Sequence, residues 1–239
     1  MLRECEAQVL QVEGDRPDGE GWFTLDKTCF YPEGGGQPSD RGSYVVVSSS
    51  TGGESGTGEI FDVKKDESGV ITHYYRGRTP VPGDLLRLYL DWDYCLGLRR
   101  YHTALHVLCG VIWREYGVKV TGAQLRSDGA RMDFGFPEWR PELKDEIDAK
   151  VNAAIATGAA VKIYSLPADE ARCIPDLIRT DIDLLPRELT RIRIVEIEGI
   201  DLQADGGSHV PTLADVGKVS IVKAKNKGAG FRRLEIEIG

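Results

Sequence analysis

The pattern of hydrophobic and polar residues changes near residue 91. Before this point, short runs of β-branched and aromatic residues are separated by Gly, Pro and Asp, which is typical of strands joined by tight turns. The runs are AQVLQVE, GWFTLDK, GSYVVVSSS, GEIFDVKK, GVITHYYRG and DLLRLYLD. Their spacing predicts a small barrel or sandwich over residues 1–91, with SSSTGGESGTGE at 48–59 as a solvated loop.

After Trp92, apolar residues recur every three or four positions, which predicts a helix ending near Gly117. These apolar positions are Leu98, Tyr101, Leu105, Leu108, Val111 and Ile112. VKVTGAQLRSDGARMDFGF is then predicted to form a hairpin, and PELKDEIDAKVNAAIATG a second helix. AVKIYSLP is predicted to be a strand, ADEARCIPDLI a helical turn or short helix, and IRIVEIEGIDLQ a strand. VSIVKAKNKGAGFRRLEIEI is predicted to form a closing hairpin. We therefore predict an α+β fold, with a β-barrel-like domain over residues 1–91 and helices packed on a mainly antiparallel sheet over residues 92–239.

Composition limits the compartment and the partners. With 41% hydrophobic and 28% charged residues, the chain is of an ordinary globular type. The N-terminus, MLRECEAQVLQVEGD, is interrupted by charge, so we expect neither a signal peptide nor a membrane span and predict a cytoplasmic protein. The five cysteines form no CxxC pair, which predicts neither a disulfide framework nor a zinc knuckle. A net charge of −8 argues against a general nucleic-acid binder, so an RNA contact needs a local basic patch.

Three of the four histidines, together with Asp205, form two pairs that could hold a metal. His102 and His106 are four residues apart on a predicted helix, so both rings lie on one face. Packing or chance placement explains most such pairs, and Thr103 stands where the HExxH motif has its glutamate. Asp205 and His209 are separated by two glycines and a serine, which allow the chain to fold back and aim both side chains at one point. Zinc accepts histidine nitrogen and aspartate oxygen, so we favour a metal site.

Three segments together resemble the alanyl-tRNA editing proteins, free-standing relatives of the editing domain of alanyl-tRNA synthetase. HTALH resembles the family's HxxxH motif, DLQADGGSHV its second metal motif, usually written CGGTH, and FYPEGGGQPSDRG its glycine-rich N-terminal motif. The segments occur in the family's order, and the resemblance covers nearly the whole chain, as in the longer members. It implies a zinc-dependent esterase that removes a wrong amino acid, chiefly serine with glycine as an open second candidate, from the 3′ end of alanine tRNA.

The resemblance also assigns the metal ligands. It makes His102, His106 and His209 zinc ligands, and it places Asp205 where many members have cysteine. Asp205 either coordinates directly as a harder oxygen ligand or orients a histidine or the attacking water, and we favour direct coordination. Apart from His73, every histidine is thereby assigned to the metal, so we expect hydrolysis without a covalent enzyme intermediate.

The resemblance also implies that two further motifs take part in substrate recognition. Gln124 corresponds to a glutamine that lines the family's editing pocket, although an exposed position on a strand explains it equally well. Leu105 departs from the pattern, because the synthetase domain has a threonine there. A glycine-rich loop is expected to abut the editing site, and it lacks the GKS or GKT ending of a nucleotide-binding loop, so we expect no ATP requirement. Its residues are Gly34, Gly35, Gly36 and Gln37.

The implied partner is aminoacylated alanine tRNA, and the chain offers basic residues in two places for its phosphates. They are Arg99, Arg100, Lys218, Lys223, Lys225, Lys227, Arg232 and Arg233. Solvated surface positions explain any single one of them equally well. Two other functions stay open: a metal-dependent hydrolase of a small ester or amide that uses no RNA, and a non-catalytic tRNA-binding module that lacks metal because of Asp205.

Overall fold

A computed structural model describes residues 2–14, 19–50, 52, 55–179, 189–228 and 230–239 of the chain. The chain divides into two compact units, Met1–Leu96 and Gly97–Gly239. The predicted boundary at residue 91 lies slightly ahead of this division. Of the predicted loop at 48–59, residues 51 and 53–54 lie outside the described residues.

The part of the first unit that the structure describes forms a closed barrel of six antiparallel strands in the order β1-β2-β5-β4-β3-β6. The strands are β1 (Glu4–Glu13), β2 (Glu20–Leu25), β3 (Gly42–Ser48), β4 (Thr57–Lys65), β5 (Ile71–Gly77) and β6 (Leu85–Leu90). Alternate residues point inward, as the period of two requires, and they include Phe23, Tyr44, Tyr75, Ile60, Leu86 and Leu88. The predicted barrel-like domain is confirmed.

The second unit combines helices with antiparallel strands, as predicted. Its elements are α1 (Trp92–Tyr116), whose start lies in the first unit, β7 (Val120–Arg126), β8 (Gly129–Phe134), α2 (Leu143–Ile155), β9 (Val161–Pro167), α3 (Ala168–Arg172), β10 (Arg191–Ile197), β11 (Asp201–Ala204), β12 (Val219–Asn226) and β13 (Arg232–Ile238). Over the described ranges these strands form two sheets rather than the single sheet expected, in the orders β11-β10-β9 and β12-β13-β8-β7.

The segment IRIVEIEGIDLQ is not one strand, so that prediction is wrong. It forms a hairpin in which β10 and β11 pair antiparallel, with Ile197 opposite Asp201. The turn between them contains Gly199 at φ 71°, a conformation that glycine adopts without steric cost. Apolar residues run through both strands, so the hydrophobic pattern did not show where the chain reverses. The reversal places Asp201 and Asp205 at opposite ends of β11.

Every residue of helix α1 from Tyr101 to Ile112 is buried. The six residues whose period predicted it are all buried: Leu98, Tyr101, Leu105, Leu108, Val111 and Ile112. Gly110 lies on the same side of the helix as His106, and a β-carbon there would stand 2.4 Å from the carbonyl oxygen of Ile200. Glycine is therefore required where the β10–β11 turn approaches the helix. Among the helices in the described ranges, none has the length and apolar character that crossing a bilayer demands.

Candidate metal centre

Four side chains from two distant parts of the sequence meet in the second unit. His102 and His106 come from α1, Asp205 follows β11, and His209 lies four residues further on. One nitrogen or oxygen ligand atom from each lies within 4.8 Å of the other three. The three histidines are buried and the Asp205 side chain is 15% exposed. The structure thus brings together the four predicted ligands, and this group can bind a metal ion.

The carboxylate of Asp205 stands among the three imidazole rings. Its Oδ1 lies 3.5 Å from Nε2 of His102 and 3.9 Å from Nε2 of His106, and its Oδ2 lies 2.9 Å from Nε2 of His209. The backbone N–H of Gly207 donates to Oδ2 at 2.6 Å, which shows why a compact turn must follow the aspartate. All three Nε2 atoms therefore face one acidic group.

His209 is held by Thr103, which lies between the two helix histidines in sequence. The Thr103 hydroxyl donates its single proton to the carbonyl oxygen of Arg99 at 2.9 Å. It can then only accept, and it does so from the backbone N–H of Val210 at 3.2 Å, with Nδ1 of His209 also 3.3 Å away. The His209 tautomer with its proton on Nδ1 donates to this hydroxyl and leaves Nε2 for a metal, whereas the tautomer with its proton on Nε2 donates to Asp205.

His106 is held by a second carboxylate, that of Asp201. Nδ1 of His106 donates to Oδ2 of Asp201 at 2.8 Å, and the Asp201 side chain is fully buried. Sequence reasoning missed both Thr103 and Asp201 as parts of the site. Thr103 could have been noticed from its place beside a ligand, whereas Asp201 reaches His106 only because β10 and β11 form a hairpin.

Burial and hydrogen bonding shift the pKa values of these groups in opposite directions. Burial lowers the pKa of His106, but its hydrogen bonds to Asp201 and Asp205 outweigh this effect and raise the pKa to about 10. For His209 burial dominates over the bond to Asp205 and lowers the pKa to about 3. Burial alone would raise the pKa of Asp205, yet hydrogen bonds from the three histidines hold it well below its usual range. Asp205 is therefore charged and His209 neutral, whereas His106 carries a second proton that a metal ion at its Nε2 would displace.

The donor set suits zinc or a similar divalent ion. It consists of imidazole nitrogen and carboxylate oxygen without thiolate, and imidazole with oxygen ligands is common in zinc sites. The negative charge of Asp205 and the hydrogen bond from Nδ1 of His106 to Asp201 favour a cation at the point that the Nε2 atoms face.

The predicted substrate-binding residues lie in two other places. Gln124 is exposed on β7 and lines an open cavity of about 160 Å³ with Arg131 and Glu235. In the barrel unit, Gly34 and Gln37 exchange backbone hydrogen bonds of 3.1 and 3.0 Å, with positive φ angles at the two glycines between them. Gln37 is 1% exposed. The roles of this turn and of Gln124 in substrate binding stay predictions.

Several of the predicted phosphate contacts have partners within the protein. Arg99 is buried, and Arg100 donates to the carbonyl oxygen of Val216 at 2.8 Å. On the closing hairpin, Arg233 makes two bonds of 2.7 Å to Asp133, and Lys225 contacts Glu235 at 2.6 Å. These residues are less available to RNA than their sequence pattern indicates.

Comparison with known proteins agrees with the resemblance seen in the motifs. Residues 192–235 match the family model of the threonyl and alanyl tRNA synthetase second additional domain. The alanyl-tRNA editing protein AlaX-M of Saccharolobus solfataricus is 34% identical over 239 residues, covering 98% of this chain and 93% of the relative. AlaX-M of Methanosarcina barkeri is 35% identical over 237 residues, with the same two coverages. The alanine–tRNA ligase of Pyrococcus abyssi is 32% identical over all of this chain, which corresponds to 25% of that ligase. The chain therefore belongs to the family of alanyl-tRNA editing proteins.

Proposed function

We propose that the protein is a trans-editing hydrolase that removes serine, and glycine as a second substrate, from wrongly charged alanine tRNA by metal-dependent ester hydrolysis. The observation that carries this proposal is the convergence of three Nε2 atoms on Asp205 in a buried group whose ligand atoms lie within 4.8 Å of one another. The names of the relatives, alanyl-tRNA editing proteins and an alanine–tRNA ligase, support alanine tRNA as the partner.

The four residues would hold one zinc ion or another divalent metal per chain. A bound zinc ion lowers the pKa of its water to about 7 and can stabilise negative charge that develops on an ester oxygen. His102, His106 and His209 would bind through Nε2, and Asp205 would bind through its carboxylate. The chain's own part is to keep Nδ1 protonated on His106 and His209 and to keep the ligands out of bulk water.

Direct attack by water fits the groups that surround the site better than a covalent intermediate. The hydroxyl of Thr103 already donates to a helix carbonyl, so its proton is committed. Burial, together with the charge of Asp201, raises the pKa of the Cys109 thiol to about 12, so it is a poor nucleophile near neutral pH. Neither group is poised for acyl transfer.

Selectivity against alanine is proposed to come from hydrogen bonds to the serine hydroxyl. A pocket that bonds this hydroxyl leaves its own polar groups unpaired when alanine enters, which strongly disfavours the wrong substrate. We propose Gln124 and the turn formed by Gly34 to Gln37 as contributors. Gln124 has an exposed side-chain amide suited to such a bond, and Gly35 and Gly36 are the exposed residues of the turn.

A deacylation assay with three charged forms of alanine tRNA tests this proposal. The purified protein is expected to release serine and glycine from the tRNA and to leave Ala-tRNA intact. Small seryl esters that lack RNA serve as the comparison. Equal or faster hydrolysis of the small esters would favour the alternative of a general metal-dependent esterase. Absence of deacylation even with added zinc would favour a tRNA-binding module without catalysis.

A further inference from the structure

A buried carboxylate lies beside the candidate metal centre, at the first position of the DLQADGGSHV segment, and the sequence analysis gave it no role. Asp201 begins β11, and its side chain is 0% exposed. Three donors from three parts of the chain converge on it: Nδ1 of His106 at 2.8 Å, Nε2 of Gln203 at 2.7 Å, and the guanidinium of Arg179. Such a group is costly to bury unless it is paired and hydrogen-bonded, and here both of its oxygens accept hydrogen bonds.

The donors divide between the two oxygens of Asp201. His106 and Gln203 share Oδ2, and Arg179 contacts Oδ1. The Arg179 guanidinium also lies 5.9 Å from the ring centre of Trp113 on α1, which limits its movement. Asp201 is thus held through both of its oxygens.

The position of Asp201 depends on a close approach between α1 and the β10–β11 turn. Gly110 permits that approach, because a β-carbon there would stand 3.1 Å from the Asp201 Cβ as well as 2.4 Å from the Ile200 oxygen. The carboxylate therefore meets the His106 ring where the β10–β11 hairpin packs closely against α1.

We propose that Asp201 is a positioning residue that keeps the His106 proton on Nδ1 and thereby turns Nε2 toward the metal. A carboxylate is an acceptor only, so Nδ1 must carry the proton. Hydrogen bonds of this kind fix the tautomer of a ligating histidine and increase its basicity as a ligand. The proposal rests on the proposed function to the extent that it requires a metal on Nε2 of His106.

The substitution Asp201→Asn tests this role because it keeps the shape and changes the hydrogen bonding. An amide has one acceptor atom, so it cannot serve both His106 and Arg179. If its NH₂ group faces His106, the imidazole proton moves to Nε2 and the ligand is lost. If its oxygen faces His106, the NH₂ group lies against the Arg179 guanidinium, so that two donors face each other. The negative charge of the carboxylate is lost in this arrangement as well. Both arrangements weaken metal binding.

Zinc affinity is measured by competition with a chromophoric chelator, without any RNA. We expect Asp201→Asn to bind zinc about 10- to 100-fold more weakly than the wild type. Asp133→Asn is the matched control, because Asp133 also pairs with an arginine in the same unit but touches no histidine of the cluster. This control should keep wild-type affinity. Wild-type affinity in Asp201→Asn would overturn the positioning role, whereas a wild type that binds no zinc would overturn the proposed function itself.

A second measurement needs no variant and applies even if Asp201→Asn does not fold. Nitrogen-15 NMR of the zinc-loaded wild type distinguishes protonated from metal-bound imidazole nitrogens. We expect Nδ1 of His106 to be protonated and Nε2 to be metal-bound. A metal-bound Nδ1, or a proton on Nε2, would overturn the proposal.

Discussion

Two buried histidines, His73 in the barrel and His209 in the metal centre, differ in what surrounds them. Burial lowers the pKa of both, to about 4 for His73 and to about 3 for His209. Each ring also has a threonine partner: Nε2 of His73 lies 2.8 Å from the Thr28 hydroxyl, and Nδ1 of His209 lies 3.3 Å from that of Thr103. Burial and one hydroxyl contact therefore do not distinguish a core histidine from a ligand.

The difference lies on the other side of each ring. His73 packs between aromatic rings, with centroid distances of 5.4 Å to Phe23 and 5.9 Å to Phe30. Nε2 of His209 instead faces the carboxylate of Asp205 at 2.9 Å. A buried histidine becomes a candidate ligand when its free nitrogen meets an acidic group and other imidazoles, and it stays a core residue when it meets hydrocarbon.

The largest expected effect comes from removing a ligand. His209→Ala or His102→Ala should reduce Ser-tRNA deacylation to the rate without enzyme, because the metal is lost while the core is kept. His73→Phe is the control, since it retains a ring of similar size and should retain metal and activity. Activity is measured by deacylation and folding by circular dichroism. Wild-type turnover in either alanine variant would refute the ligand assignment.

The next largest effect is expected in the pH dependence of stability, to which the buried His73 of the barrel should contribute. The folded-state pKa of His73, about 4, lies below the unfolded value near 6.5. The neutral ring therefore stabilises the fold fully above about pH 6.5, and this contribution, of the order of 3 kcal/mol, is lost as the pH falls toward about 4. Urea unfolding of the full chain measures it. His73→Phe should lose this part of the pH dependence, and an unchanged dependence would contradict the assignment.

A pair of threonine variants should sharpen the comparison further. Thr103→Val removes the acceptor for Nδ1 of His209, so zinc affinity should fall by about 10- to 100-fold. Thr28→Val removes the matching contact of His73 and should cost about 1 kcal/mol of stability without changing zinc affinity. Chelator competition and urea unfolding measure the two effects. Equal zinc affinities in the two variants would show that Thr103 does not orient His209.

The smallest effect is expected for Asp205→Cys. If Asp205 is a ligand, the cysteine variant should keep zinc and bind it more tightly relative to harder divalent ions, because thiolate is the softer donor. Relative affinities for zinc and manganese measure this change. A variant that keeps zinc with unchanged metal preference but loses the deacylation rate would instead identify Asp205 as a group that orients or accepts a proton from water.

The sequence predicted the parts of this protein that depend on local pattern. Alternation gave the barrel strands, and the three- and four-residue period gave α1, which places His102 and His106 on one face. The turn at Gly199 was missed, because the apolar pattern continues across it. Asp201 was missed for a different reason: its contact with His106 depends on tertiary packing at Gly110, which no spacing along the chain encodes.

The central claim is that the four-residue group holds a metal on which ester hydrolysis depends. The most direct measurement is Ser-tRNA deacylation by protein that has been stripped with chelator and then titrated with zinc. We predict that stripping abolishes the activity and that it returns to a plateau at about one zinc ion per chain. Full activity in the stripped protein, confirmed as metal-free by elemental analysis, would contradict the claim.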